Sequence, residues 1–118
     1  MTFDLDAVGP RIEQFSGPGY RGCRLHGEID FTSSGAVQST LLSMILPGGG
    51  TVVADLSQVT FLDSSGLGVL VQAHRTALER ANRLVVVASP PVRKLLRLTG
   101  LDTVLETYDE LPAAEAAL

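Results

Sequence analysis

Two mostly apolar runs, Val52-Val53-Ala54-Asp55-Leu56 and Arg83-Leu84-Val85-Val86-Val87-Ala88, constrain this chain more than anything else in it. A strand with one wet face alternates apolar and polar residues. The first run does not alternate and reads as a strand covered on both faces, the environment of a parallel sheet; the second, continuous and β-branched, is the clearest strand in the sequence. Parallel neighbours need a crossover, and the segment between the runs supplies one. Leu67, Leu70, Val71, Leu78 and Ala81 recur at helical spacing, which predicts a helix from about Ser65 to Ala81 with that stripe inward.

The flanks extend the same alternation. Thr2 to Phe15 carries a weak pattern in which Arg11 to Phe15 alternates as a half-exposed strand, and Tyr20 to His26 reads as a second strand, joined to it across Ser16-Gly17-Pro18-Gly19 into a hairpin. Thr32-Ser33-Ser34 offers N-caps for a helix with apolar positions Val37, Leu41, Met44 and Ile45. Pro47-Gly48-Gly49-Gly50 ends that helix, and no Gly-Lys-Ser or Gly-Lys-Thr follows to make it a phosphate loop. Ser89 caps a third helix with Pro90 or Pro91 in its first turn. Gly100 stops it, and Leu101 folds back on Leu96. Thr103 to Glu106 reads as a last short strand, and Glu110 to Leu118 as a terminal helix. The expected fold is α/β, a mixed sheet of four to five strands packed with about four helices.

At 118 residues, positions 1–118 fit one domain. Hydrophobic residues make up 45% of the chain and Trp is absent, so aliphatic side chains must fill the core. The formal charge of −4 disfavours direct binding to nucleic acid or to an anionic membrane surface. Cys23 is the single cysteine; it reads as a small buried residue in a reducing compartment. The acidic start Met1-Thr2-Phe3-Asp4-Leu5-Asp6 is no secretory signal, and no run approaches the roughly 18 to 20 apolar residues of a membrane span. A soluble cytoplasmic protein is expected.

The candidate site is Phe61-Leu62-Asp63-Ser64-Ser65-Gly66-Leu67-Gly68-Val69-Leu70, where a strand gives way to the central helix. Asp63, Ser64 and Ser65 each have a side-chain oxygen able to accept from the unpaired N–H groups of a first helical turn. One cap suffices; the surplus hydroxyls at such a junction are open to a modifying enzyme. Gly66 and Gly68 cost roughly 1 kcal/mol each against Ala in a helix and are expected to leave its mouth bare for another backbone.

Catalysis has little to stand on. Ser64 as a nucleophile needs a base, and the histidines are His26, at a strand end, and His74, at the spacing of a packed helix position. Ser64 also lacks a Gly-x-Ser-x-Gly elbow. A magnesium-dependent acceptor built from Asp30, Asp55 and Asp63 lacks a lysine partner, since Lys94 is the one lysine and belongs to the third helix. No catalytic residue, metal or cofactor is expected. Arg93, Lys94 and Arg97 read as a solvated face. Asp30 reads from the residues as a carboxylate fixing its own turn.

Asp55-Leu56-Ser57, then Val59, then Phe61 to Gly68, resembles the signature of the anti-sigma factor antagonists of the STAS domain family. Gly27-Glu28-Ile29-Asp30, Ser89-Pro90-Pro91-Val92-Arg93-Lys94-Leu95-Leu96 and Gly100-Leu101 match further elements, with Ser33-Ser34 standing where the family often has Thr-Ala. The resemblance implies a single STAS domain that works by partner switching in stress response or sporulation. Ser64, or failing it Ser65, would be the phosphate acceptor for a serine kinase that is also the anti-sigma factor. The unphosphorylated form binds that kinase and releases a sigma factor, phosphorylation ends the binding, and a serine phosphatase restores it. ATP belongs to the partner, and Asp30, Asp63, Ser64, Ser65, Gly66 and Leu67 form the docking surface. The resemblance thus gives Asp30 a second reading, a carboxylate lying near Ser64. The other reading is a nonphosphorylated STAS scaffold or ligand-sensing module in a regulatory complex. The oligomeric state is left open.

Overall fold

The computed structural model describes residues 11–118; the weak pattern assigned to Thr2 to Pro10 lies outside them. The chain runs β1 (Arg11–Gly17), β2 (Tyr20–Ile29), α1 (Ser34–Ile45), β3 (Thr51–Leu62), α2 (Ser64–Glu79), β4 (Arg83–Ala88), α3 (Pro90–Thr99), a single 3-10 turn (Leu101–Thr103), β5 (Glu106–Tyr108) and α4 (Leu111–Ala117). The sheet is mixed, five strands and four helices, as the patterning predicts.

Strand order follows chain order, with β1 antiparallel to β2 and every later pair parallel. Gly17 pairs with Tyr20, so Pro18-Gly19 closes the hairpin, and Gly19 takes φ 79, a conformation glycine reaches without strain. Three successive crossovers step the same way across the sheet, and crossovers of one hand then place their helices on one face. Accordingly α1, α2 and α3 share one core with Leu25, Ile29, Val52, Ala54, Leu56, Leu84 and Val86. The opposite face holds a smaller cluster, Tyr20, Val53, Val85, Val87 and Ala114, over which α4 packs. β3 and β4 therefore bury both of their faces, which is why their sequences do not alternate.

Buried on the second face is an ion pair. Asp55 is 1% exposed; its Oδ2 lies 2.9 Å from Arg24 Nε and its Oδ1 accepts from the Ser57 N–H. The Arg24 guanidinium in turn stands 5.0 Å from the centre of the Phe15 ring.

Several expectations need correcting. The inward stripe of α2 is Gly66, Val69, Leu70, Ala73, Thr76 and Ala77, while Leu78 is 67% exposed and Ala81 has left the helix for a turn at φ 54. Small residues let α2 sit close to its neighbours, and that closeness, not the size of Leu78, sets the rotation of the helix. Ser89 occupies the N-cap position of α3, but its buried hydroxyl donates to the Val59 carbonyl at 2.6 Å instead of capping. The last strand is Glu106–Tyr108, later than predicted, and Leu101–Thr103 forms the 3-10 turn. Arg83 at the start of β4 draws Glu106 into place through two hydrogen bonds to its carboxylate. His26 lies inside β2, beyond the strand's midpoint, with Nε2 3.2 Å from Glu13 Oε1. Among the described residues no helix is long and apolar enough to cross a membrane.

Candidate functional site

β2 and β3 end together, Ile29 beside Leu62, and the Asp63 N–H donates to the Ile29 carbonyl at 3.1 Å. This bond joins the two turns that follow, so the loop after β2 and the start of α2 form one surface at one end of the sheet. Register shifts in the β2–β3 pair, between Arg24 and His26 and between Gly27 and Glu28, bend the strands on the way.

Asp63 is the N-cap of α2. Its backbone is extended (φ −97, ψ −173), and its Oδ1 accepts from the Ser65 N–H at 2.9 Å and the Gly66 N–H at 3.2 Å. The same oxygen accepts the Ser65 hydroxyl at 2.5 Å. That hydroxyl, then the Gly66 and Ser65 N–H groups and the Phe31 N–H, hold the Asp63 carboxyl below its ordinary 3.8. Ser64 is the first helical residue and is exposed; among the described residues its hydroxyl takes no partner. Of the three oxygen-bearing residues, one caps, one is tied to the cap, and one is left over.

Asp30 meets the first of its readings, and the charge of Asp63 reaches it. Its carboxylate accepts from the Thr32 N–H at 2.9 Å and from the Thr32 hydroxyl, which lowers its pKa, while the neighbouring Asp63 charge works the other way. It fixes its own turn. Thr32-Ser33-Ser34 caps α1 less than expected, because Ser33 Oγ accepts from the Asp30 N–H at 3.0 Å and gives α1 no side-chain cap. Asp55 is not brought to this end of the sheet. It pairs with Val87 in mid-strand under Arg24, so Asp30, Asp55 and Asp63 do not assemble as a magnesium site.

The two glycines differ. A Cβ on Gly66 would lie 2.2 Å from Leu62 Cδ1 and 3.2 Å from Ile29 Cγ2, so Gly66 is buried to let α2 meet the strand ends and is not open to a partner. Gly68 has nothing within 4 Å of its added Cβ and does leave the helix bare. Leu67 is half-buried against the core. Sequence reasoning missed Phe31 at the same end and named Phe61 as the first residue of the candidate stretch without giving it a role. Phe31 is 79% exposed and Phe61 49% exposed. Their signal was position alone, each beside a strand end where no apolar neighbour at regular spacing accounts for it.

A model of the STAS domain matches residues 17–114. The chain belongs to the STAS domain family. This STAS domain is 32% identical over 88 residues to the anti-sigma F factor antagonist of Paenibacillus polymyxa, covering 73% of this chain and 75% of that one. It is 33% identical to the anti-sigma-B factor antagonist of Listeria monocytogenes serovar 1/2a, covering 68% and 71%. A crystal structure of an anti-sigma factor antagonist from Mycobacterium paratuberculosis superposes with a TM-score of 0.79 at 28% identity, over 90% and 91% of the two chains.

Neither histidine of this STAS domain is arranged to activate Ser64. His26 faces Glu13, and His74 lies ten residues along α2, about 15 Å at the helical rise. What the mouth of α2 offers is an accessible hydroxyl in a negative, rigidly tied setting.

Proposed function

We propose that this STAS domain is an anti-sigma factor antagonist switched by phosphorylation of Ser64. Unmodified, it binds a serine kinase that is itself the anti-sigma factor and so frees a sigma factor; phosphorylated, it lets the kinase go, and a serine phosphatase resets it. Catalysis and ATP belong to the kinase, and the setting is the cytoplasm. The observation that carries this reading is the division of labour at the helix mouth: Asp63 caps, Ser65 is bound to Asp63, and Ser64 stands exposed. Asp30, Asp63, Ser64 and the exposed edge of the first α2 turn form the docking surface, with Ser65 and Leu67 supporting it from behind.

The charge argument supplies the direction of the switch. A phosphoserine adds about −1.5 to −2 charge. At roughly 6 Å from an acidic or apolar partner surface, with an effective dielectric near 20, each added unit costs on the order of 3 kcal/mol, about a hundredfold in affinity. Within the domain a phosphate at a helix N-terminus gains about 0.3 to 1 kcal/mol, so the fold persists while the complex parts. Asp30 and Asp63 already make the site negative, so phosphate strengthens an existing field. The test is incubation with the kinase anti-sigma factor and Mg-ATP followed by phosphopeptide mapping. A single phosphate on Ser64 is expected; labelling of Ser65 alone moves the site, and no labelling of the chain removes the switch.

A further inference from the structure

β3 outruns its neighbour. Its pairing with β4 stops at Leu56 beside Ala88, yet β3 continues to Leu62, and α3 rather than another strand lies along that extension. Between them is a groove of about 400 Å³ whose walls include Phe61, Leu62, Pro91, Leu95 and Leu98, with Lys94 at its border. Pro91, Lys94, Leu95 and Leu98 are spaced as one face of a helix. Leu98 is 75% exposed and Phe61 49%, so the folded domain leaves this apolar surface wet.

Lys94 lines the groove on its α3 side, and Arg97 follows it one turn along the same helix. Arg93 is paired with Asp109 on the far side of α3. Among the described residues Lys94 and Arg97 have no carboxylate partner. This pair of cations in a chain of net charge −4 is a local feature that the composition does not favour. The mouth of α2 carries the opposite sign through Asp30 and Asp63, and Glu28 stands beside Phe61 across the β2–β3 pair, on the strand side of the groove. Phe61 precedes Ser64 by three residues, about 10 Å of extended chain, so a single partner surface reaches both.

We infer that this groove docks an apolar segment flanked by carboxylates, carried by the same kinase that meets Ser64. The inference rests on the proposed function and deepens it. Apolar side chains of the segment cover Phe61, Leu95 and Leu98, and its carboxylates face Lys94 and Arg97. The cations of α3 and the acidic mouth of α2 lie on neighbouring elements, so the carboxylate-flanked segment of the partner is held over α3. Docking here is independent of the phosphate-accepting atom, so it governs affinity and not the chemical step.

The experiment uses the full chain and the purified kinase anti-sigma factor that labels Ser64. Steady-state phosphorylation is compared for the wild type, Leu98→Ala, and the double variant Lys94→Glu/Arg97→Glu. All three substituted side chains are exposed, so circular dichroism is expected to show an unchanged fold. The expected result is a KM raised on the order of tenfold in each variant with kcat unchanged. The wild-type KM is expected to rise with salt, and that of the double variant to fall. If Ser64 is labelled normally and both variants keep the wild-type KM within about twofold, the groove is not a docking site and the switch still stands. If the wild type itself is not labelled, both readings fall. Sedimentation of the domain alone is the third arm: a dimer abolished by Leu98→Asp would make a second copy the occupant and overturn the inference, and a monomer is expected.

Discussion

The Ser65 hydroxyl donates to the same Asp63 oxygen that caps α2, at 2.5 Å, while the adjacent Ser64 hydroxyl projects into solvent. Two serines with the same chemistry thus have different work because only one is reached by the cap. Asp63→Ala is expected to destabilise the domain by about 1 kcal/mol in urea denaturation, the usual cost of losing an N-cap, with Asp63→Asn costing less. In Asp63→Ala the Ser65 hydroxyl is released, so kinase labelling is expected to spread from Ser64 to Ser65. Labelling that stays wholly on Ser64 would show that the cap does not set the choice.

Gly66 and Gly68 make a matched pair with opposite signs. Alanine at Gly66 meets Leu62 and Ile29 at overlapping distance, a strain of about 1 to 3 kcal/mol that outweighs the roughly 1 kcal/mol gained in helix propensity. Alanine at Gly68 meets nothing and keeps that gain. Thermal denaturation is expected to move the melting temperature down for Gly66→Ala and up for Gly68→Ala. A rise for both would mean that α2 does not need its close approach to the strand ends.

The Arg24–Asp55 pair is asymmetric, since Asp55 is sealed and the Arg24 side chain is one-third exposed at 33%. Arg24→Met strands a buried carboxylate and is expected to cost about 3 kcal/mol. Asp55→Asn leaves a guanidinium that can turn to water and is expected to cost less. Chemical denaturation of both variants checks the order, and the reverse order would place the burial on the wrong partner.

Stability should respond to acid and to base for separate reasons. The carboxyls of Asp63 and Asp30 are held below their ordinary 3.8 by the Ser65 and Thr32 hydroxyls, and Glu106 below 4.5 by the Arg83 guanidinium. A carboxyl more acidic in the folded state contributes fully above its unfolded value and loses that contribution as pH falls through the folded one. Stability is therefore expected to be level from pH 7 to about 5 and to decline below about 4. Burial pushes the Cys23 thiol from 9.0 up to about 12, so its contribution is present below pH 9 and is lost as pH rises toward 12. Tyr20 and Tyr108, raised from 10.0, add to that alkaline loss. Melting temperatures from pH 3 to 11 test both limbs, and Cys23→Ala is expected to flatten the alkaline one.

The fold was legible where a residue's size and its position agree. Val52–Leu56 and Leu84–Ala88 are buried on both faces, and Val37, Leu41, Met44 and Ile45 form the inner stripe of α1, as their spacing predicts. It was illegible where close packing of small residues outweighs hydrophobicity: Ala73, Thr76 and Ala77 turn inward and Leu78 outward on α2. That Asp63-Ser64-Ser65 starts a helix could be read from the residue types, but not which serine the cap leaves free, because that depends on the direction of one carboxylate oxygen. Phe31 escaped notice, and Phe61 was given no role of its own, for the opposite reason to Leu78, since aromatic residues at strand ends ordinarily signal core. Ser89 looked like a helix cap because its backbone is one; its hydroxyl is drawn inward by the Val59 carbonyl, which the strand overhang leaves to be satisfied.

The central claim is that charge on Ser64 separates this domain from its kinase without unfolding it, and titration calorimetry measures this most directly. The domain, unmodified and stoichiometrically phosphorylated on Ser64, is titrated into the kinase anti-sigma factor at constant ionic strength, with circular dichroism recorded on both forms. A loss of affinity of about a hundredfold or more with superposable spectra is the expected result. Equal affinities for the two forms would contradict it.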